Sequence, residues 1–305
     1  MIQTFPLLGG VELGGTKCVG LIGTGPSDIR AQATVETGGD PARTLERIGA
    51  FFQSWRVEHG PIAALGIASF GPVDLDRCSP TYGYITSTTK PGWSDTDIAS
   101  PLGRITGASR IGFETDVNAA ALAEGRWGAA QGLADFAYVT VGTGVGVGLI
   151  AGGRPVIGFS HGELGHIRPV RKAGDDWAGS CPFHGDCLEG LASGSAIEAR
   201  LGLRAGTVSS DHPVWDLVAH PLAQLLHTLV LATAPRLILL GGGVMNAQPH
   251  LFPRIRLELQ RSLNGYRVAP ELGLAIAEYI RPPGLGALAG PLGALAVAAD
   301  ALAAP

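Results

Sequence analysis

Apolar residues recur along the chain with two periods, and these predict alternating strands and helices. Short runs of apolar residues bounded by glycine or polar residues indicate buried strands, whereas apolar positions spaced three and four apart indicate amphipathic helices. The predicted strands of the first half are 11–13, 17–22, 64–68 and 110–113, and its predicted helices are 41–58 and 117–124. Pro41 suits the first turn of a helix, because its missing N–H has no partner there.

The second half repeats this order, with strands at 135–140, 145–150 and 236–240 and helices at 189–201, 212–234, 249–264 and 286–303. Each half opens with a predicted β-hairpin that carries glycine and threonine at its tip. This weak repeat predicts two related α/β lobes. We expect the first lobe to span residues 1–115 and the second to span 116–285. The small and apolar tail at 286–305 must pack against protein, and we expect it to complete the first lobe.

Composition excludes several classes of protein. Of the 305 residues, 46% are hydrophobic and 16% are charged, which is typical of a globular chain and not of a disordered one. A net charge of −4 gives no basic surface for nucleic acid. No apolar run reaches the roughly 18 residues of a membrane span, and the first eight residues lack the basic region of a signal peptide. We therefore expect a cytoplasmic protein with neither nucleic acid nor membrane as a partner.

Four metal-binding side chains occur close together in the second half. The predicted ligands are His166, Cys181, His184 and Cys187. Two thiolates and two imidazoles can close a tetrahedral Zn²⁺ site, and four protein ligands leave no open position, so the zinc is predicted to be structural. His161 is an alternative fourth ligand. We prefer His166 because Glu163 then lies on the same local turn.

Two carboxylates flank the predicted zinc site. Glu163 precedes one ligand and Glu189 follows another, so a bound metal would hold both acids in fixed positions, as the binding of a polyhydroxylated substrate requires.

Three glycine-rich loops are candidates for binding a nucleotide, although each alone could be an ordinary turn. The first has the order Gly-Thr-Lys before a strand, unlike a Walker A loop, and the others lack the G-x-G-x-x-G spacing. Backbone N–H groups and threonine hydroxyls can nevertheless bind phosphate oxygens. The candidate residues are Thr16, Lys17, Gly142, Thr143, Gly144, Gly241, Gly242 and Gly243.

Asp116 lies between a predicted strand and a predicted helix. One interpretation is an N-cap aspartate. The other is a general base that takes the proton of a sugar hydroxyl as its oxygen attacks the γ-phosphorus of ATP. The two interpretations are compatible, and with the loops and paired acids the second predicts a sugar kinase.

These motifs resemble those of the ROK sugar kinases, in the same order and over nearly the whole chain. The segments 69–72 and 79–85 and the run Cys-Pro-Phe-His-Gly-Asp-Cys are similar to the zinc-containing bacterial fructokinases. The resemblance implies an α/β fold of the two-lobe actin-like ATPase type, a duplicated ribonuclease H-like architecture with a zinc-stabilised loop. It also implies ATP and Mg²⁺, a homodimer, and conversion of D-fructose to D-fructose 6-phosphate.

The resemblance also implies roles for single residues. Asp116 would be the catalytic base, and Asn118 would support it or contact the sugar. The sugar hydroxyls would be held by Glu163, His166 and Glu189. The phosphates would face Thr16, Lys17, Gly142 and Thr143, and the adenosine would be bordered by Gly241, Gly242 and Gly243.

Two positions depart from the family pattern. Glu12 stands where an aspartate is common, which affects the expected Mg²⁺ contact. Thr115 replaces the common asparagine before the base, which weakens one expected sugar contact.

Other functions remain open at this point. A kinase of the same fold could act on glucose, mannose or an N-acetylhexosamine, since a few loop contacts decide which hydroxyls are recognised. A sugar-responsive DNA-binding regulator is disfavoured, because a phosphate loop so near the first residue leaves no room before it for a helix-turn-helix. A zinc hydrolase with Glu163 as base is disfavoured because its zinc would need an open ligand position.

Overall fold

Two five-stranded sheets organise the protein, and each belongs to its own unit of the chain. The computed structural model describes residues 6–266 and 269–304. The first unit contains the residues up to Gly132, then Pro155–His161, and the residues from Ala287 onward; the second contains Leu133–Arg154 and Gly162–Gly286. The predicted boundary at residue 115 therefore precedes the end of the first compact stretch. The division into domains at 115 and 286 stays a prediction.

The first unit has the sheet order β3-β2-β1-β4-β7. Strands β1, β2 and β3 pair antiparallel, and β4 and β7 continue the sheet in parallel with β1. Its elements are β1 (Leu8–Leu13), β2 (Lys17–Gly25), β3 (Asp28–Glu36), α1 (Pro41–His59), β4 (Ala64–Ser69), β5 (Tyr84–Ile85), β6 (Thr96–Asp97), α2 (Ala99–Thr106), β7 (Ile111–Thr115) and α3 (Asp116–Trp127).

The second unit repeats this arrangement with the sheet order β10-β9-β8-β11-β12. Strands β8 and β9 form the antiparallel hairpin, and β11 and β12 are parallel to β8. Its elements are β8 (Phe136–Val141), β9 (Val145–Ala151), β10 (Arg154–Pro155), α4 (Leu188–Ala192), α5 (Gly194–Leu201), α6 (Val214–Ala232), β11 (Ile238–Gly241), α7 (Gly243–Ala247), α8 (Leu251–Leu263), α9 (Ile276–Tyr279) and β12 (Ile280–Arg281).

The C-terminal helix α10 (Ala289–Ala303) packs on the first sheet through small residues. Gly66 of β4 shows how close the approach is, since a Cβ there would lie 1.9 Å from the carbonyl oxygen of Ala294. Side chains larger than glycine and alanine would hold the helix away from the strand. The small-residue composition of the tail is therefore what lets it cover this sheet.

Two described helices, Val214–Ala232 and Gly286–Ala303, are long and apolar enough to cross a membrane by length and composition. Neither helix is an uninterrupted apolar run of the kind considered in the sequence analysis, because Asp216 lies in the first and Asp300 in the second. Of the apolar window in each helix, 61% and 56% is buried inside the protein. This is the burial expected of helices that cover a core.

Most predicted elements are present, and the differences have local causes. The helix predicted at 189–201 is two helices, because Ser193 adopts an extended conformation and caps α5 by accepting a hydrogen bond from the N–H of Ala196 (3.0 Å). Strand β3 and helix α2 were not predicted. The segment between β4 and α2 contains β5 and β6, which pair with each other.

Candidate active site

The first glycine-threonine loop connects β1 and β2 at one edge of the first sheet. Gly15, Thr16 and Lys17 are exposed. The loop is closed by a hydrogen bond from the N–H of Gly14 to the carbonyl oxygen of Lys17 (3.0 Å), and Thr37 donates its hydroxyl to the carbonyl oxygen of Gly14 (2.7 Å). These hydrogen bonds fix the start of the loop, and its exposed tip is able to bind phosphate oxygens.

Glu12 lies just before this loop on β1. Its carboxyl group lies against the start of α10, where a Cβ on Gly290 would be 2.0 Å from Oε1. Burial raises the pKa of Glu12 to about 7, and the positive charge of Lys17 partly opposes this rise. A divalent cation beside this carboxyl group would favour its ionised form, so Glu12 is chemically able to bind a metal ion.

Strand register brings the loop and Asp116 to the same edge of the first sheet. Leu13 at the end of β1 is aligned with Ser69 at the end of β4, and Ser69 is aligned with Thr115 at the end of β7. Because the three strands are parallel, the segments that follow them emerge together. Ligands of α/β sheets bind at this carboxyl edge.

The N-cap of α3 is Thr115, not Asp116. Thr115 has extended backbone angles, and its Oγ1 accepts a hydrogen bond from the N–H of Asn118 (3.1 Å). Asp116 is the first helical residue, half-buried, and its Oδ1 accepts from the N–H of Val117 (2.9 Å). The interpretation of Asp116 as a cap was therefore wrong. The cap leaves Asp116 at the positive end of a helix, where a carboxylate is favoured.

Two buried side chains of the first unit were missed or left unexplained by sequence reasoning. Glu114 accepts a hydrogen bond from Nδ2 of Asn118 (2.9 Å), and the N–H of Val73 donates to Nε2 of His161 (3.0 Å). Burial raises the pKa of Glu114 most strongly, whereas hydrogen bonds from Asn118 and Thr115 and the charge of His161 lower it. The signal for Glu114 was present, because an acidic residue in an apolar strand is unusual.

The four predicted zinc ligands lie together in the second unit. Their ligand atoms are all within 4.8 Å of one another. Nδ1 of His166 is 3.4 Å from Sγ of Cys187 and 3.8 Å from Sγ of Cys181, which is 3.7 Å from Nδ1 of His184. With Zn–S near 2.3 Å and Zn–N near 2.0–2.1 Å, a tetrahedral site has edges of roughly 3.3–3.8 Å. The donor set and these three spacings therefore fit Zn²⁺.

The two predicted sugar-binding acids lie on either side of this cluster in the sequence. Glu189, in the first turn of α4, accepts a hydrogen bond from the N–H of Val145 (3.0 Å). Glu163 precedes the 3₁₀ turn Leu164–His166. The residue is exposed overall, yet partial burial of its carboxyl group raises the pKa of Glu163. The charge of Glu189 raises this pKa further, whereas the charge of His166 lowers it.

The second glycine-threonine loop, Gly142 to Gly144, connects β8 and β9. Gly144 allows Glu189 to approach, because a Cβ there would lie 2.4 Å from its Oε2. The start of α5 donates two hydrogen bonds to the loop. The N–H of Gly194 donates to the carbonyl oxygen of Gly142 (2.7 Å), and the N–H of Ser195 donates to the carbonyl oxygen of Thr143 (3.4 Å). The side chain of Thr143 remains exposed.

The third glycine-rich loop lies beside the second. Thr140 of β8 is aligned with Gly241 of β11, so both loops emerge at the same edge of the second sheet. Gly242 has φ +92, and a Cβ there would lie 2.5 Å from the carbonyl oxygen of Val141. A Cβ on Gly142 would be 4.0 Å from the backbone nitrogen of Gly243. The six predicted nucleotide-binding residues of these two loops thus lie together.

Comparison with known proteins shows the family of the chain and its relatives. The ROK family model matches residues 8–301. The fructokinase of Pediococcus pentosaceus is 41% identical over 97% of this chain and 99% of its own length. The fructokinase of Zymomonas mobilis is 40% identical over 96% of both chains.

A solved structure supports the same relationship. A ROK family glucokinase from Streptomyces griseus, solved in complex with glucose and AMPPNP, matches with a TM-score of 0.77 and 25% sequence identity. The match covers 96% of this chain and 99% of the glucokinase. The predicted two-lobe actin-like ATPase fold is therefore confirmed.

The zinc site generates a prediction about metal content. Wild-type protein should hold one Zn²⁺ per chain, and Cys181→Ser should lose it, because a hydroxyl is a poor ligand for a soft-ligand zinc site. The second unit should then melt at lower temperature, since ligand binding adds to folding free energy. The measurement is elemental analysis of purified protein, with a thermal melt.

Matched controls separate the ligands from other side chains. Cys78→Ser changes an exposed free cysteine and should keep the zinc. His161→Ala should also keep it, because His161 accepts from Val73 and is outside the four-residue cluster. Full zinc occupancy in Cys181→Ser, or loss of zinc in His161→Ala but not in His166→Ala, would contradict the assignment.

Proposed function

The chain belongs to the ROK family, and we propose that it is an ATP-dependent kinase that phosphorylates D-fructose to D-fructose 6-phosphate. The observation that carries this proposal is similarity of about 40% identity to fructokinases over nearly the full length of each chain. The carboxylate at the start of α3 and the exposed glycine-threonine tips supply the chemistry that the reaction needs.

In the first unit, Asp116 is proposed as the general base. Its carboxylate would take the proton from the C6 hydroxyl while that oxygen forms a bond to the γ-phosphorus and the bond between the γ-phosphorus and the bridging oxygen of ADP breaks. Asn118 would contact the sugar or hold the base. Thr16 and Lys17 would meet the phosphates, and Mg²⁺ would accompany ATP, with Glu12 as the nearby carboxyl group suited to it.

In the second unit, the adjacent loops are proposed to hold the nucleotide. Gly142, Thr143 and Gly144 would approach the phosphates, and the segment from Gly241 to Gly243 would border the adenosine. Glycine at these positions lets a ligand approach the backbone closely.

The zinc site is proposed to position the sugar-binding acids. Zinc held by His166, Cys181, His184 and Cys187 would have a structural role and would fix the segments that carry Glu163 and Glu189. These carboxylates would accept hydrogen bonds from sugar hydroxyls, and His166 would also hydrogen-bond to the sugar. A rigid arrangement matters because a group misplaced by about 1 Å can cost roughly 10²-fold in rate.

We further propose a cytoplasmic homodimer that acts on a free hexose and ATP, with neither nucleic acid nor membrane as a partner. Four cysteines without a disulfide among the described residues are consistent with a reducing compartment.

An ADP-release assay over a hexose panel tests the function. With Mg²⁺ and ATP, kcat/KM should be higher for D-fructose than for glucose, mannose or N-acetylglucosamine, because the sugar-binding segments resemble those of fructokinases. An equal or higher value for another hexose would contradict the substrate. Absence of ADP release with every hexose would contradict the kinase itself.

Asp116→Asn tests the base. The rate should fall by about 10²–10⁴-fold, the usual contribution of a positioned general base. The melting temperature should change little, because Thr115 provides the cap and the Asn side chain can still accept from Val117.

Asp135→Asn is the matched control for this variant. Asp135 is exposed and likewise accepts a backbone N–H, from Gly152 (2.9 Å). It should retain the wild-type rate. A near wild-type rate in Asp116→Asn would leave Asp116 without a catalytic role.

A further inference from the structure

Glu114 is a buried carboxyl group that the proposed steps do not use. It lies at the end of β7, directly before α3, and is only 8% exposed. Placing a carboxyl group in such a position is costly unless its oxygens are hydrogen-bonded. Its contacts therefore indicate what it does.

One oxygen of Glu114 receives two hydrogen bonds from the junction that carries Asp116. Oε1 accepts from the backbone N–H of Thr115 (2.9 Å) and from Nδ2 of Asn118 (2.9 Å). Oγ1 of Thr115 also accepts from the backbone N–H of Asn118 (3.1 Å). Asn118 is thus held both at its backbone and at its side chain, and it is 4% exposed.

These bonds define the orientation of the Asn118 amide. An oxygen that already accepts from the N–H of Thr115 is matched by the NH₂ group of the amide and not by its oxygen. Oδ1 of Asn118 must therefore point away from Glu114. Without Glu114, the amide could rotate and exchange its donor for its acceptor.

The arrangement works with either charge state of Glu114. If the carboxyl group is protonated, the proton can occupy Oε2 and leave Oε1 free to accept both bonds. A glutamine has the same shape and keeps one acceptor oxygen. Alanine and leucine have no acceptor and would leave two buried N–H donors without their partner.

We propose that Glu114 is a positioning residue for phosphoryl transfer, which acts through Asn118 to fix the first turn of α3, where Asp116 lies. This inference rests on the proposed function. Glu114 need not contact the substrate, because the orientation of Asn118 transmits its effect.

A double-mutant cycle with Asn118 tests the proposal. Glu114→Ala should lower kcat/KM for the best hexose by about 10²-fold, as expected from a misplaced group. If Glu114 acts through Asn118, the double variant with Asn118→Ala should be no slower than Asn118→Ala alone. Glu114→Gln should restore most of the lost rate. Glu114→Leu, which fills more of the volume, is measured in parallel in case the alanine variant does not fold.

Glu124 provides a matched control on the same helix. It is fully buried, and its Oε2 accepts from the backbone N–H of Ala129 (2.7 Å). Glu124→Ala should lower the melting temperature but keep the kinetic constants. Equal kinetic losses in the Glu124 and Glu114 variants would overturn the proposal, because they would indicate a general effect of stability.

Two further results would overturn the inference. One is additivity of the Glu114 and Asn118 effects, and the other is a Gln variant as slow as the Ala variant. Both are read only against an active wild type, so they differ from failure of the proposed function. If the wild type releases no ADP with any hexose, the function fails and the inference falls with it.

Discussion

The turn between β8 and β9 is the constraint on which the second unit depends. Val145 at its end donates its N–H to Glu189, and its carbonyl oxygen lies where a Cβ on Gly165 would be only 1.9 Å away. The start of α5 donates to Gly142 and Thr143. The segments that carry Glu163, Glu189 and the Cys/His cluster are thereby packed against a glycine-threonine loop. Side chains larger than glycine would separate them.

The same logic of parallel strands applies in both units. In each, an antiparallel hairpin is followed by strands parallel to its first member, so the hairpin tip and the later loops emerge at one edge. In the first unit this edge carries Asp116, in a helical turn whose Asn118 is hydrogen-bonded to Thr115 and Glu114. In the second unit it carries two glycine-rich loops. A duplicated scaffold can in this way hold different chemical groups without a change of fold.

Features formed by residues close together in the sequence could be predicted, whereas contacts between segments far apart in the sequence could not. The Cys/His cluster was predictable because three of its four members lie in one short run, and the hairpins were predictable because glycine and threonine mark their tips. The sequence interpretation placed the N-cap at Asp116 and not at Thr115, because both residue types are good caps and only the backbone angles distinguish them. The contact of Gly194 with Gly142 was not predictable, because it joins distant segments and leaves no local pattern.

The most direct test of this account is the kinetic effect of Gly144→Ala. The added Cβ would lie 2.4 Å from Oε2 of Glu189, the flexible end of a side chain, so the carboxylate should move while the fold remains. Gly206→Ala, whose Cβ would make an ordinary contact of 3.6 Å, is the control in the same unit. The account predicts that Gly144→Ala keeps its zinc and melting temperature but loses about 10²-fold in kcat/KM for the hexose. Wild-type kinetics in this variant would contradict it.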